Sequence, residues 1–99
     1  MLFSPLCSGS AGNASYLEAG GVRLIVDAGV TAKRLRDLMS MIDVSPQGLD
    51  AILVTHEHTD HVSGVGVLSR RYDIPVYAAA ECWERMPQSI GKLAAKNIR

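Results

Sequence analysis

Four consecutive apolar residues, Ala51-Ile52-Leu53-Val54, run straight into Thr55-His56-Glu57-His58-Thr59-Asp60-His61, and this junction constrains the chain more than any other segment. A short apolar run rich in branched side chains reads as a strand covered on both faces. All three histidines of the protein then fall within six positions. Chance clustering of that kind is improbable.

In an extended segment alternate side chains point the same way, so His56 and His58 are expected to reach one metal ion together, at about 2 Å from each ring nitrogen for zinc. Asp60 and His61 sit where the loop turns into a helix and leave in another direction, toward a second ion. Two neighbouring ions lower the pKa of a shared water and clamp attacking and leaving oxygens, which is hydrolytic chemistry on a phosphodiester, thioester, ester or amide. Asp60 is also placed to hold the hydroxide by a hydrogen bond and is the candidate catalytic residue. The competing reading makes Thr59 or Asp60 an ordinary helix cap. For one histidine it would prevail, but four ligand-type residues at these spacings favour metal. Glu57 and Thr59 alternate away from the pair.

Two further positions bear on the site. Glycine in a first helical turn costs up to about 1 kcal/mol against alanine, so Gly64 predicts that something packs close to it. Asp27, at the end of an apolar run, is either a turn former or a buried carboxylate that braces the metal loop by hydrogen bonds.

The rest of the chain supplies a mixed α/β (α+β) pattern. Residues 2–7 read as a strand entering the loop Ser8-Gly9-Ser10-Ala11-Gly12-Asn13. Tyr16-Leu17-Glu18-Ala19 and Val22-Arg23-Leu24-Ile25-Val26 flank Gly20-Gly21, a hairpin signature. Thr31 is placed to cap a helix carrying Leu35, Leu38, Met39 and Ile42 on one face, and Ser45-Pro46-Gln47-Gly48 closes that segment. The spacing predicts one helix over 60–72, a strand over 74–77 starting near Pro75, and a helix over 78–86 stopped by Pro87. Residues 91–99 read as a helix starting or continuing. The order argues for a mixed sheet covered by helices.

Ninety-nine residues leave room for one compact unit, and 47% hydrophobic residues make a globular core plausible. The net charge is zero, yet all ten acids precede Arg85, and Arg85, Lys92, Lys96 and Arg99 follow without one. Four dispersed cations read as a solvated helix face rather than a nucleic-acid footprint. Cys7 and Cys82 lack any C-x-x-C spacing, which favours two free thiols in a reducing compartment. The N-terminus lacks a secretory pattern and no apolar run approaches a membrane span, so a cytoplasmic protein without membrane contact is expected.

At His56-Glu57-His58-Thr59-Asp60-His61-Val62-Ser63-Gly64 the sequence resembles the metallo-β-lactamase fold, in which a His-x-His-x-Asp-His motif follows a strand. Asp27-Ala28-Gly29 resembles the strand-end aspartate of that family. Residues 3–13, Leu53-Val54-Thr55-His56 and residues 64–72 look like its YycJ (WalJ) branch of cytoplasmic, exonuclease-like bacterial proteins, the likeness spanning residues 2 to 83. The resemblance implies the N-terminal half of an αββα sandwich, with 1–99 a partial domain, expected to be truncated. It implies two divalent ions, zinc or manganese, one on His56 and His58 and the other on Asp60 and His61, with Asp27 supporting the site. Residues 8–13 are read as a structural turn or as a loop presenting amides or Asn13 to the site. The family completes its centre with later histidines and an aspartate, and no histidine follows His61, so the chain alone is expected to be inactive. Three readings result: a phosphodiesterase or 5′-3′ DNA exonuclease, with DNA or another phosphodiester as partner; a hydrolase of a small thioester, ester or lactam; and an inactive fragment or interaction module. Oligomeric state is not legible.

Overall fold

The computed structural model describes residues 1–99. Five strands, β1 (Leu2–Cys7), β2 (Ala14–Ala19), β3 (Val22–Ala28), β4 (Ala51–Leu53) and β5 (Val76–Tyr77), form one sheet in the order β1-β2-β3-β4-β5. The first three are antiparallel, and β4 and β5 add in parallel. The hairpin between β2 and β3 turns on Gly20 and Gly21, both at positive φ (57° and 81°), the conformation that a two-residue hairpin loop demands and that side chains resist. Ala19 and Val22 face each other across it.

Alternation decides which residues are inside. Tyr16, Ile25, Ile52 and Val76 are register neighbours across four successive strands, and all four are fully buried. The helices α1 (Ala32–Ser40) and α3 (Val65–Tyr72) contribute Leu35, Met39, Val65 and Leu68 to the same core. Thr31 caps α1 by accepting a hydrogen bond from the amide of Arg34, as its position predicts.

The opposite face carries Phe3, Leu17 and Leu24 in one row and Val26, Leu53 and Tyr77 in the next. No helix layer lies on it: Phe3 and Tyr77 are 56% and 43% exposed, and Leu53 is only half-buried. The expectation that β4 is covered on both faces therefore holds on the helix side alone. The result is a mixed sheet of α+β class with its helices packed on one face.

Three sequence expectations are corrected. The helix expected over 60–72 is two, α2 (Thr59–Val62) and α3, because the Gly64 amide donates to the Ala28 carbonyl of β3 at 2.7 Å instead of continuing the helical ladder. The helix over 78–86 contracts to α4 (Ala80–Glu84). Residues 91–99 hold no α-helix: after a 3₁₀ turn at Ala95–Asn97, Ile98 pairs with Val76 in parallel and the Arg99 amide donates to Val76 O at 3.0 Å. An unpaired edge of β5 offers these residues main-chain partners, and a segment without an apolar stripe has little to gain as a helix. The four late cations thus do not line a helix face; Lys96 pairs with Asp73 at 2.8 Å. Both cysteines are free thiols. No helix is long and apolar enough to cross a membrane.

Candidate metal centre

The histidine segment leaves β4 beside the end of β3, and β3 is shaped to receive it. Ala14 pairs with Ala28 and Ser15 with Val26, so Asp27 is the extra residue of a β-bulge, at φ 63°. A bulge re-aims the side chain it carries, and aspartate tolerates this left-handed conformation better than most residues. The Asp27 carboxylate is 6% exposed. Its Oδ1 accepts from the Thr55 amide at 2.7 Å, and its Oδ2 accepts from the Thr55 hydroxyl at 2.6 Å. The same Oδ2 lies 2.8 Å from Nδ1 of His61. A buried carboxylate needs such donors to offset lost hydration.

These contacts assign the protons. A His61 ring that donates from Nδ1 to Asp27 keeps the lone pair on Nε2, which faces Oδ2 of Asp60 at 3.8 Å. Thr55, having donated to Asp27, can accept from Nδ1 of His56 at 3.0 Å, again leaving Nε2 free. Ring centroids of His56 and His61 are 4.8 Å apart, and those of His56 and His58 are 6.2 Å apart. His56 and His58 are exposed, while Asp60 and His61 are half-buried. The six positions therefore converge at one end of the sheet, with His56 nearer His61 than its alternate neighbour His58.

Two glycines make that convergence possible. A Cβ on Gly29 would overlap the Asp60 carbonyl oxygen, and a Cβ on Gly64 would overlap the carbonyl oxygen of Val30. The close packing expected at Gly64 is thus against the turn between β3 and α1. The sequence assigns Thr55 no role beyond its place at the head of the motif, although a hydroxyl residue next to His56 at a strand end is a visible signal. The Asp27 bulge left none, because register is a property of two strands. Behind the site, burial pushes the Cys82 thiol up from its ordinary pKa, and the carboxylates of Glu57 and Asp27 add to the effect; it remains a protonated thiol at neutral pH.

Imidazole nitrogens and a carboxylate are the donors that zinc and manganese accept. No three His, Cys, Asp or Glu side chains are disposed to hold one ion by themselves. The donor chemistry fits divalent metal ions.

Residues 8–98 match the family model of the metallo-beta-lactamase superfamily, and the chain belongs to that superfamily. Its members bind divalent metals, usually zinc. The chain is 47% identical over 93 residues to the exodeoxyribonuclease WalJ of Streptococcus pneumoniae, covering 92% of this chain and 35% of that protein. It is 44% identical over 91 residues to the exodeoxyribonuclease YycJ of Bacillus anthracis, covering 92% and 34%. It thus spans about a third of the length of these relatives. A solved B3 metallo-β-lactamase with an active-site glutamic acid superposes with a TM-score of 0.68 at 24% identity, over 78% of this chain and 30% of that one. At that identity the likeness speaks for the fold.

Proposed function

We propose that these residues are the N-terminal part of a metal-dependent phosphodiesterase that degrades DNA as a 5′-3′ exonuclease, working in the cytoplasm. The observation that carries this reading is the 47% identity to a protein named as an exodeoxyribonuclease, sustained across 92% of the chain and through the histidine motif. His56 and His58 would hold one divalent ion and Asp60 and His61 a second, zinc or manganese, with the remaining ligands supplied from outside residues 1–99. When bound, such a pair activates water near neutral pH and stabilises charge on the oxygens of a phosphodiester.

The chain's own residues prepare this. Asp27 fixes the His61 tautomer, and Thr55 does the same for His56, so both rings offer Nε2. Asp60 has Oδ2 engaged by Asn13, which leaves Oδ1 for the second ion or for a hydrogen bond to the hydroxide. Two free thiols support a reducing compartment.

The test is to supply the intact, metal-loaded protein with a 5′-phosphorylated DNA strand and with small thioester, ester and lactam substrates. Release of nucleotides from the 5′ end, lost on adding a chelator and on His58→Ala, is expected. Turnover of a small-molecule substrate with DNA left whole would overturn the reading.

A further inference from the structure

Resting on the metal-centre reading above, we infer that Asn13 is a positioning residue for the centre, holding Asp60 beside His61 through its side-chain amide. Asn13 lies half-buried in the loop between β1 and β2, 47 positions from Asp60 in sequence, yet the two segments meet through several hydrogen bonds. Its main chain bridges the site: its amide donates to Asp60 O at 2.8 Å, and its carbonyl accepts from the Gly29 amide at 2.9 Å. The side-chain Nδ2 lies 3.1 Å from Asp60 O, 3.3 Å from Asp60 Oδ2 and 3.5 Å from His61 Nε2. The oxygen end is fixed independently, since Oδ1 accepts from the Gly9 amide at 3.2 Å; of the two N–H donors on Nδ2, one goes to Gly9 O at 3.0 Å and the other is shared between Asp60 O and Oδ2. That ring of contacts leaves one orientation of the amide, with the nitrogen toward the motif and the oxygen toward Gly9.

The consequence is specific to the side chain. Main-chain bonds alone would hold the loop against residue 60, but they leave the Asp60 carboxylate free to rotate. A donor on Oδ2 restrains that rotation and leaves Oδ1 as the uncommitted oxygen. His61 Nε2 lies farther from Nδ2, at 3.5 Å, and keeps its lone pair. Asn13 therefore acts on Asp60 as Asp27 acts on the neighbouring His61, and outer partners of this kind set the affinity and geometry of the ligands they hold.

The test compares Asn13→Asp, Asn13→Ala and Cys7→Ala in the intact protein. Asn13→Asp conserves size and the acceptor for the Gly9 amide but turns a carboxylate toward Asp60. Cys7→Ala loosens the same loop by removing the 3.2 Å contact from Sγ to Gly12 O, without touching the motif. Zinc affinity is read by chelator competition, ligand geometry by the visible spectrum of the cobalt form, and stability by thermal melting. Both Asn13 variants are expected to bind zinc about 10- to 100-fold more weakly and to change the cobalt spectrum, with kcat falling more than KM rises. Cys7→Ala is expected to shift melting only. Zinc affinity and a cobalt spectrum unchanged in Asn13→Asp and Asn13→Ala, or an equal loss of affinity in Cys7→Ala, would overturn the inference. Wild-type protein that binds no zinc would instead overturn the metal-centre reading on which it rests.

Discussion

His61 and Asp27, 34 positions apart in sequence, are joined by a 2.8 Å contact between Nδ1 and Oδ2. The carboxylate cannot drift away from the ring, because Thr55 holds both of its oxygens from the opposite side. A histidine tethered through Nδ1 presents Nε2 in a fixed direction, and the negative partner makes that nitrogen a better donor to a cation. The bulge at Asp27 is what points the carboxylate there.

Asp27→Asn tests the charge with little change in shape. Asparagine also tolerates positive φ, but its amide nitrogen cannot accept, so at least one contact from Thr55 or His61 is lost. Zinc affinity is expected to fall about 10- to 100-fold, and unfolding free energy by about 1–3 kcal/mol for a buried group left without its partner. Chelator competition and urea denaturation measure the two effects. Unchanged affinity would show that His61 needs no carboxylate to hold its orientation.

Gly29→Ala tests the close approach of the motif loop to β3. The added methyl would overlap the Asp60 carbonyl oxygen, which is held by the Asn13 amide and has nowhere to retreat. Overpacking of this kind costs typically about 1–3 kcal/mol, and here the strain falls on a candidate ligand. A lower urea midpoint together with weaker zinc binding is expected. A fall in stability alone would mean that the loop relaxes without moving Asp60.

What the sequence made legible follows the range of the physics. The Gly20-Gly21 hairpin, the Thr31 cap and the strand running into His56 are local signals, and each stands where it was read. The histidine cluster needed no structure to be noticed. The break at Gly64 could not be read, because the competing hydrogen bond comes from Ala28, 36 positions away. The pairing of Ile98 with Val76 and the role of Thr55 are contacts between distant segments for the same reason. The 60–72 and 91–99 segments both have acceptable helical composition, and tertiary partners overrode it.

Asp73 ends α3 at φ 55° and receives hydrogen bonds from Lys96 Nζ at 2.8 Å and Asn97 Nδ2 at 2.9 Å. The Lys96 hydrogen bond, the Asn97 hydrogen bond and then the Lys96 charge hold its carboxyl below the ordinary value of 3.8. A depressed folded pKa contributes stability that is present above the unfolded value and lost as pH falls through the folded one. The wild type is therefore expected to lose stability below about pH 4 more steeply than Asp73→Asn. The exposed pair makes this a small effect, screened by salt, and melting temperatures at low and high salt between pH 2 and 5 would reveal it. Identical acid limbs would remove Asp73 from the account.

In β2, Tyr16 is fully buried and its hydroxyl donates to Glu18 Oε1 at 2.7 Å. Burial first, then the hydrogen bond to Glu18 and its charge, raise the phenol above its ordinary 10.0. A raised folded pKa means that the native state keeps its proton longer than the unfolded chain. The associated stability is complete below the unfolded value, near pH 10, and is lost as pH rises through the folded one. Tyr16→Phe removes the titration and the hydrogen bond while keeping the ring that packs beside Ile25. Near neutral pH it is expected to cost about 0.5–1.5 kcal/mol, and that deficit should narrow as the wild type weakens above pH 10. Urea midpoints of the two proteins at rising pH, taken as a difference, cancel the lysines that titrate in the same range. A deficit that stays constant through the alkaline range would mean that Tyr16 ionises alike in the folded and unfolded chain.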